Sequence, residues 1–318
     1  MALKRYFGFS EETTFGKASA AKEYIDPESV ELDPSGEQAI IFEGASRMDR
    51  LVAPGHYRSE GSVSFPVDLD TIGYFLKWVL GGYDVKGTSS GETGTKAPYT
   101  HTFTPSMDNL LPSFTARVGK DIFEHVFTSC VLSSLSLELE DGFLMANADI
   151  LGGKDEKATL KKDVKFTDGE VFAPHEVTIS MGGQDESTTI QSFSLNIENG
   201  ADMEAGHTIG TRFPRLAFRG AMLVELEVNL LFFDTKHIET FWGQAKGPIE
   251  EGELKDIDTQ INIGDNFTID IPSAIISEIE QPLGGREHIE QTATLRGLLT
   301  RDGEGPISVE IINDKESY

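Results

Sequence analysis

The chain has 318 residues, 53 acidic against 27 basic side chains, a formal charge of −26 and a pI near 4.5. Duplex nucleic acid carries roughly one negative charge per 1.7 Å, so a protein that grips it needs a basic surface, and the absence of any basic run excludes DNA binding by charge. A hydrophobic fraction of 38% with 20 phenylalanines excludes disorder, and this length suits two domains with a sizeable core.

In chain order, Met1-Ala2-Leu3-Lys4-Arg5-Tyr6-Phe7-Gly8 lacks the apolar centre of a secretory signal. No run of about 18 apolar residues suits a membrane span, so the expectation is a protein made inside the cell with no membrane anchor. Ile41-Phe42-Glu43-Gly44-Ala45 reads as a strand ending in Gly-Ala, followed by a loop through Pro54 that mixes apolar residues with opposite charges. Loops seldom leave such residues in water, so Arg47, Met48, Arg50 and Leu51 are candidates for contact with another subunit; packing over their own domain is the competing reading.

Val63-Ser64-Phe65-Pro66-Val67 alternates as a strand does, with one face on a core and one on water. After Asp70-Thr71, Ile72, Phe75, Leu76 and Val79 fall at helical spacing, and Gly81-Gly82 stops them. Gly82 to Thr100 is rich in Gly, Ser and Thr and reads as a long mobile excursion unless a partner orders it. Its Gly87-Thr88-Ser89-Ser90-Gly91 matches the Gly-x-Ser-x-Gly of serine hydrolases only by loop composition, because no strand-turn-helix surrounds it. Cys130, flanked by Phe127, Val131 and Leu132, reads as a small buried hydrophobe, and a single cysteine excludes an internal disulfide. In Leu135-Ser136-Leu137-Glu138-Leu139-Glu140, the two glutamates share the face opposite the leucines.

Gly152-Gly153-Lys154 lacks both the spacing and the hydroxyl of a phosphate loop. Lys154 to Thr167 reads as a charged connector between domains 1–160 and 161–318. Beyond it, Leu195 to Ala201 again ends a strand in Gly-Ala, and a second long loop runs from Asp202 to Pro214, with Met203 and Arg212 as further contact candidates. Leu226-Glu227-Val228-Asn229-Leu230 alternates, placing Glu225 and Glu227 on one face, and Asp234-Thr235 opens a helical run to Trp242 and Gly243.

The two tryptophans thus close matching Asp-Thr-x6-Trp stretches half a chain apart, each preceded by a strand and followed by a glycine stop. Downstream, Asn266-Phe267-Thr268 matches Ser113-Phe114-Thr115. These pairs predict one unit written twice. The tryptophan register sets Phe65 against Asn229, one place out of phase, a slip that a bulge absorbs. The expected fold is mainly β, two tandem sandwich or barrel domains each with a flanking helix.

No catalytic constellation emerges. The seven histidines are scattered singly, without His-x3-His or Cys-x2-Cys, so neither a metal nor a cofactor is expected. The glutamate pairs are the one arrangement a glycosidase could use, and a water-facing strand surface explains them more simply.

The run Leu111-Pro112-Ser113-Phe114-Thr115-Ala116-Arg117-Val118-Gly119-Lys120, then Phe123 to Cys130 and Val131-Leu132-Ser133-Ser134-Leu135-Ser136-Leu137-Glu138-Leu139, resembles the tail tube proteins of long-tailed bacterial viruses. The likeness is clearest from Ser59 to Gly152 and looser in the second half. It implies a structural virion protein, made in the host cytoplasm, with β domains arranged in rings of six that stack into a hollow tube for the genome. Two domains per chain would give trimeric rings, with other tail proteins at the tube ends and DNA passing without tight binding. On that reading Glu138, Glu140, Glu225 and Glu227 are lumen candidates and the long loops are inter-ring candidates. A carbohydrate-binding sandwich or glycosidase, and a tail terminator or injection-tube component, are the alternatives.

Overall fold

The computed structural model describes residues 5–35, 39–42, 45, 48, 51–87, 98–140, 142–167, 169–252, 254–283, 289–303 and 305–318. The first half comprises β1 (Arg5–Glu11), β2 (Glu23–Ile25), β3 (Ser29–Ser35), β4 (Ala39–Phe42), β5 (Leu51–Pro54), β6 (Arg58–Pro66), α1 (Ile72–Leu80), β7 (Gly81–Gly87), β8 (Tyr99–Pro105), β9 (Phe114–Lys120), β10 (Phe123–Leu139), β11 (Met145–Gly152) and β12 (Lys154–Ala158). The second comprises β13 (Val177–Met181), β14 (Gln184–Asp185), β15 (Ile190–Glu198), β16 (Leu223–Leu231), α2 (Lys236–Trp242), β17 (Ile257–Ile263), β18 (Phe267–Glu280), β19 (Glu290–Gly297) and β20 (Ser308–Asn313).

The protein is mainly β, and every strand pair is antiparallel. A central sheet runs in the order β3, β6, β11, β10, β15, β16, β19, β18. One flanking sheet runs β2, β1, β9, β10, β12, and the other β14, β13, β17, β18, β20, β8, β7. The ladders branch but do not return on themselves, so the described strands form large open sheets and no closed barrel.

Two long strands, β10 and β18, each belong to two sheets, and β10 has an identifiable bend. Ser129 takes φ 57, a left-handed conformation unusual for a side-chain-bearing residue. The buried carboxylate of Glu12 holds it there, accepting from Ser129 N at 3.0 Å, Ser113 Oγ at 2.9 Å and Thr115 Oγ1 at 2.9 Å. Up to the bend β10 pairs with β9 and β12, with Cys130 opposite Phe114 just beyond it; from Val131 onward it pairs with β11 and then β15.

The core lies between the sheets and α1. Trp78, Phe9, Phe75, Phe65 and Phe114 are fully buried, with Trp78 stacked on Phe114 at 4.1 Å between ring centres. Cys130 is buried as expected, and burial pushes its thiol well above the usual range.

Both expected helices form, and each ends at a left-handed glycine, Gly81 at φ 84 and Gly243 at φ 79. The start of α1 differs from the sequence expectation: Asp68, not Asp70, holds the first turn, its Oδ1 accepting from Asp70 N at 2.9 Å and Thr71 N at 3.0 Å. The expected excursion, Gly82 to Thr100, instead has its two ends in the β7–β8 hairpin, which adds to the second half's sheet through β20. Residues 88–97, including most of the Gly-x-Ser-x-Gly match, lie outside the described residues. The expected connector starts with a strand, because β12 pairs with β10.

Candidate functional site: the polar sheet face and its edges

The central sheet buries one face and leaves the other polar. Val63, Phe65, Leu135, Leu137, Leu195, Leu226, Val228 and Leu295 point into the core. The alternate residues form cross-strand rows on the opposite face. Glu138 stands opposite Ser194, Ser194 opposite Glu227, Glu227 opposite Thr294, and Thr294 opposite Glu278. In the adjacent row Ser136, Asn196, Glu225 and Arg296 follow one another.

Three of the glutamates read from the sequence therefore share one sheet face, although they come from different halves. Glu138 and Glu227 are exposed and Glu225 is half-buried; Glu140 is exposed one residue beyond the end of β10. Glu278, Glu198, Glu31 and Asp149 share that face and were not singled out from the sequence. Alternation assigns each residue a face on its own strand, whereas only register reveals which strands lie side by side.

The contact loops behave differently. Arg47 and Arg50 lie outside the described residues, and Leu51 is described only as backbone of β5. Met48 is 79% exposed, and β4–β5 forms an arm on which Ile41, Phe42 and Val52 are each more than half exposed. Met203 overturns the expectation of an outward contact: it is buried with Leu111, Val131 and Ala217, where an unbranched thioether fills a gap between loop and sheet. Arg212 ties its loop to the base of the arm, donating from Nε to Gly55 O at 2.9 Å with its guanidinium over the Tyr57 ring.

Loop residues of the second half also close off α1. Asn199 Nδ2 donates to Val79 O at 3.2 Å and to Leu132 O at 2.8 Å, and Arg219 Nη1 donates to Leu80 O at 2.9 Å. The bonds to Val79 O and Leu80 O reach carbonyls at the C-terminal end of α1, and the bond to Leu132 O ties the same loop to β10.

Among the described residues the sheets are open, with a polar acidic face and edges that pair with no further strand. A family model described as phage tail tube protein matches residues 3–297, and the chain belongs to that family. It is a structural protein of the virion tail. No curated protein matches the chain. No helix among the described residues is long and apolar enough to cross a membrane.

Proposed function

We propose that residues 1–160 and 161–318 are two tube domains of one duplicated unit, and that three chains close a ring of six domains around a hollow lumen. The strand order supports this reading. In the central sheet β3, β6, β11, β10 of the first half are followed by β15, β16, β19, β18 of the second, the same relation of sequence to position repeated. The flanking sheets repeat it as β1, β9, β10, β12 and β13, β17, β18, β20.

This order changes the finer sequence matches. Phe267 opens β18 and so corresponds to Phe123, which opens β10, while Phe114 opens β9. Leu195 lies in β15, the counterpart of β3, while Ile41 lies in the arm. The one-place slip needs no bulge: Phe65 corresponds to Val228, and the extra residue sits between strand and helix.

The seam between β10 and β15 carries the assembly proposal. There Leu135 stands opposite Ile197 and Leu137 opposite Leu195. At the ends of the same sheet, β3 pairs only with β6, and the C-terminal part of β18 only with β19, among the described residues. An unpaired edge is a template for another chain. Repeating the inner seam between chains sets Ile276 opposite Leu32 of the next chain and Ile279 opposite its Val30. On the polar face it sets Glu278 opposite Glu31, a like-charge pair that salt would screen.

On this reading the polar face, with Glu138, Glu140, Glu225 and Glu227, lines the lumen. Its acids repel phosphates over a Debye length of about 8 Å, so DNA slides without adhering. The apolar β4–β5 arm, with Met48 at its tip, reaches the adjacent ring, and other tail proteins cap the tube. The work is assembly and passage, with no bond chemistry.

The test joins the seam residues. Ser29→Cys with Glu280→Cys places thiols where Ser194 and Glu138 face each other inside the chain. Oxidised assemblies are expected to give an interchain ladder ending at trimer, and negative-stain images long uniform tubes. A ladder that ends elsewhere, or no cross-link, overturns the trimeric ring; closed single rings without tubes favour a tail terminator.

A further inference from the structure

The fold brings together three side chains that sequence spacing leaves apart. His56 lies between β5 and β6 at the base of the arm, while Glu204 and His207 belong to a single turn of 3-10 helix and its end in the loop between β15 and β16. The two imidazoles stack with centres 4.1 Å apart and planes at 28°. His56 Nδ1 is 3.0 Å from Glu204 Oε1. One nitrogen from each ring and one carboxylate oxygen all lie within 4.8 Å of one another. His207 Nδ1 is buried and has no hydrogen-bond partner among the described residues.

We propose that His56, Glu204 and His207 form a binding site for a borderline-soft divalent cation, Zn2+ above all. Two imidazoles and one carboxylate make a common three-ligand set for zinc, with the fourth tetrahedral position left for water. Zinc bonds of roughly 2.0–2.2 Å put neighbouring donor atoms a little over 3 Å apart. The cluster reaches that spacing by a small contraction, which the exposed His56 and Glu204 side chains permit. The hard cations Mg2+ and Ca2+ prefer all-oxygen shells and are disfavoured.

Arg58 Nη1 lies 3.8 Å from Glu204 Oε2 and leaves Oε1 facing the histidines. A bound ion would clamp the base of the arm to the β15–β16 loop, joining elements that Arg212 already ties.

Calorimetric titration of the metal-free full-length protein with ZnCl2 tests the site, together with the absorption spectrum of Co2+ as a tetrahedral reporter. One equivalent is expected to bind the native protein, and His56→Ala, His207→Ala and Glu204→Gln should each weaken it by more than roughly tenfold. Circular dichroism checks that each variant is folded, and Glu204→Gln, at an exposed carboxylate, serves should a histidine variant fail to fold. No saturable binding by the native protein, or equal binding by a folded variant, overturns the site. Neither outcome depends on whether the protein forms rings.

Discussion

α1 and α2 begin from the same local instructions and end in different surroundings. Each follows a strand of the central sheet, carries tryptophan at its seventh position and stops at a left-handed glycine. Yet eight residues of α1 are buried, whereas in α2 only His237 is. Position by position the reason is visible: Phe75 and Leu76 of α1 stand where α2 has Glu239 and Thr240. Local signals fix where a helix starts and stops, and composition around its circumference fixes how much of it can be covered.

The cover on α1 comes partly from the other half. Tyr318 packs edge-on against Tyr74 at 5.2 Å, its hydroxyl bonds Leu69 O, and Asn313 Nδ2 donates to that hydroxyl at 2.6 Å. A Cβ at Gly73 would stand 2.3 Å from the Tyr318 ring, and His237 occupies the corresponding place in α2.

This contrast gives graded expectations. Trp78→Ala empties a packed site and should cost about 3–5 kcal/mol of unfolding free energy. Trp242→Ala, half-buried, should cost about 1–2 kcal/mol on the same denaturant curves. Equal losses would show that the two helices are covered alike.

Gly73→Ala should destabilise by about 1–3 kcal/mol through overpacking against Tyr318. In a Tyr318→Ala background the same change should turn neutral or stabilising, because alanine favours a helix over glycine by about 1 kcal/mol. Additive effects in that double-mutant cycle would remove Tyr318 as the reason for the glycine.

Removing the start signals should cost less. Asp68→Ala, which loses several bonds from a buried carboxylate, belongs at the upper end of about 0.5–2 kcal/mol, and Asp234→Ala, exposed with one such bond to Lys236 N at 2.9 Å, at the lower end. The two losses, read from thermal melts, should differ in that order.

The smallest effect is a pH dependence. Burial raises the Asp68 carboxyl above its ordinary value of 3.8, outweighing the bonds from Thr71 and Asp70 that lower it. The folded state therefore holds this proton more tightly than the unfolded chain. The stability it contributes is present below pH 3.8 and lost as pH rises through the folded value. Compared with Asp68→Asn, the native protein should lose ground across that window and remain parallel elsewhere.

Much of this architecture was legible in the sequence because it rests on short-range physics. Strand alternation at Phe65 and Leu226, helical spacing before Trp78 and Trp242, and the glycine stops all follow from geometry within a few residues. The apolar Val131 and Leu132 around Cys130 likewise gave away its burial. What stayed hidden depends on partners distant in sequence. Lys154 to Ala158 looks like a connector by composition, and only the edge of β10 makes it a strand. Met203 has the sequence context of a surface loop, and Leu111 and Val131 bury it. His56 and His207 are unremarkable singly, and meet because two loops meet.

The outermost strands of the central sheet have one more consequence. Among the described residues, β3 and the C-terminal part of β18 each leave one edge unpaired, and both carry acids there: Glu31 and Asp33 on β3, Glu278 and Glu280 on β18. On the proposed assembly, charges therefore border the edges that join, and neighbours must meet against like-charge repulsion. Growth under such conditions should be slow to start and fast once begun, with a lag that shortens when preformed fragments are added.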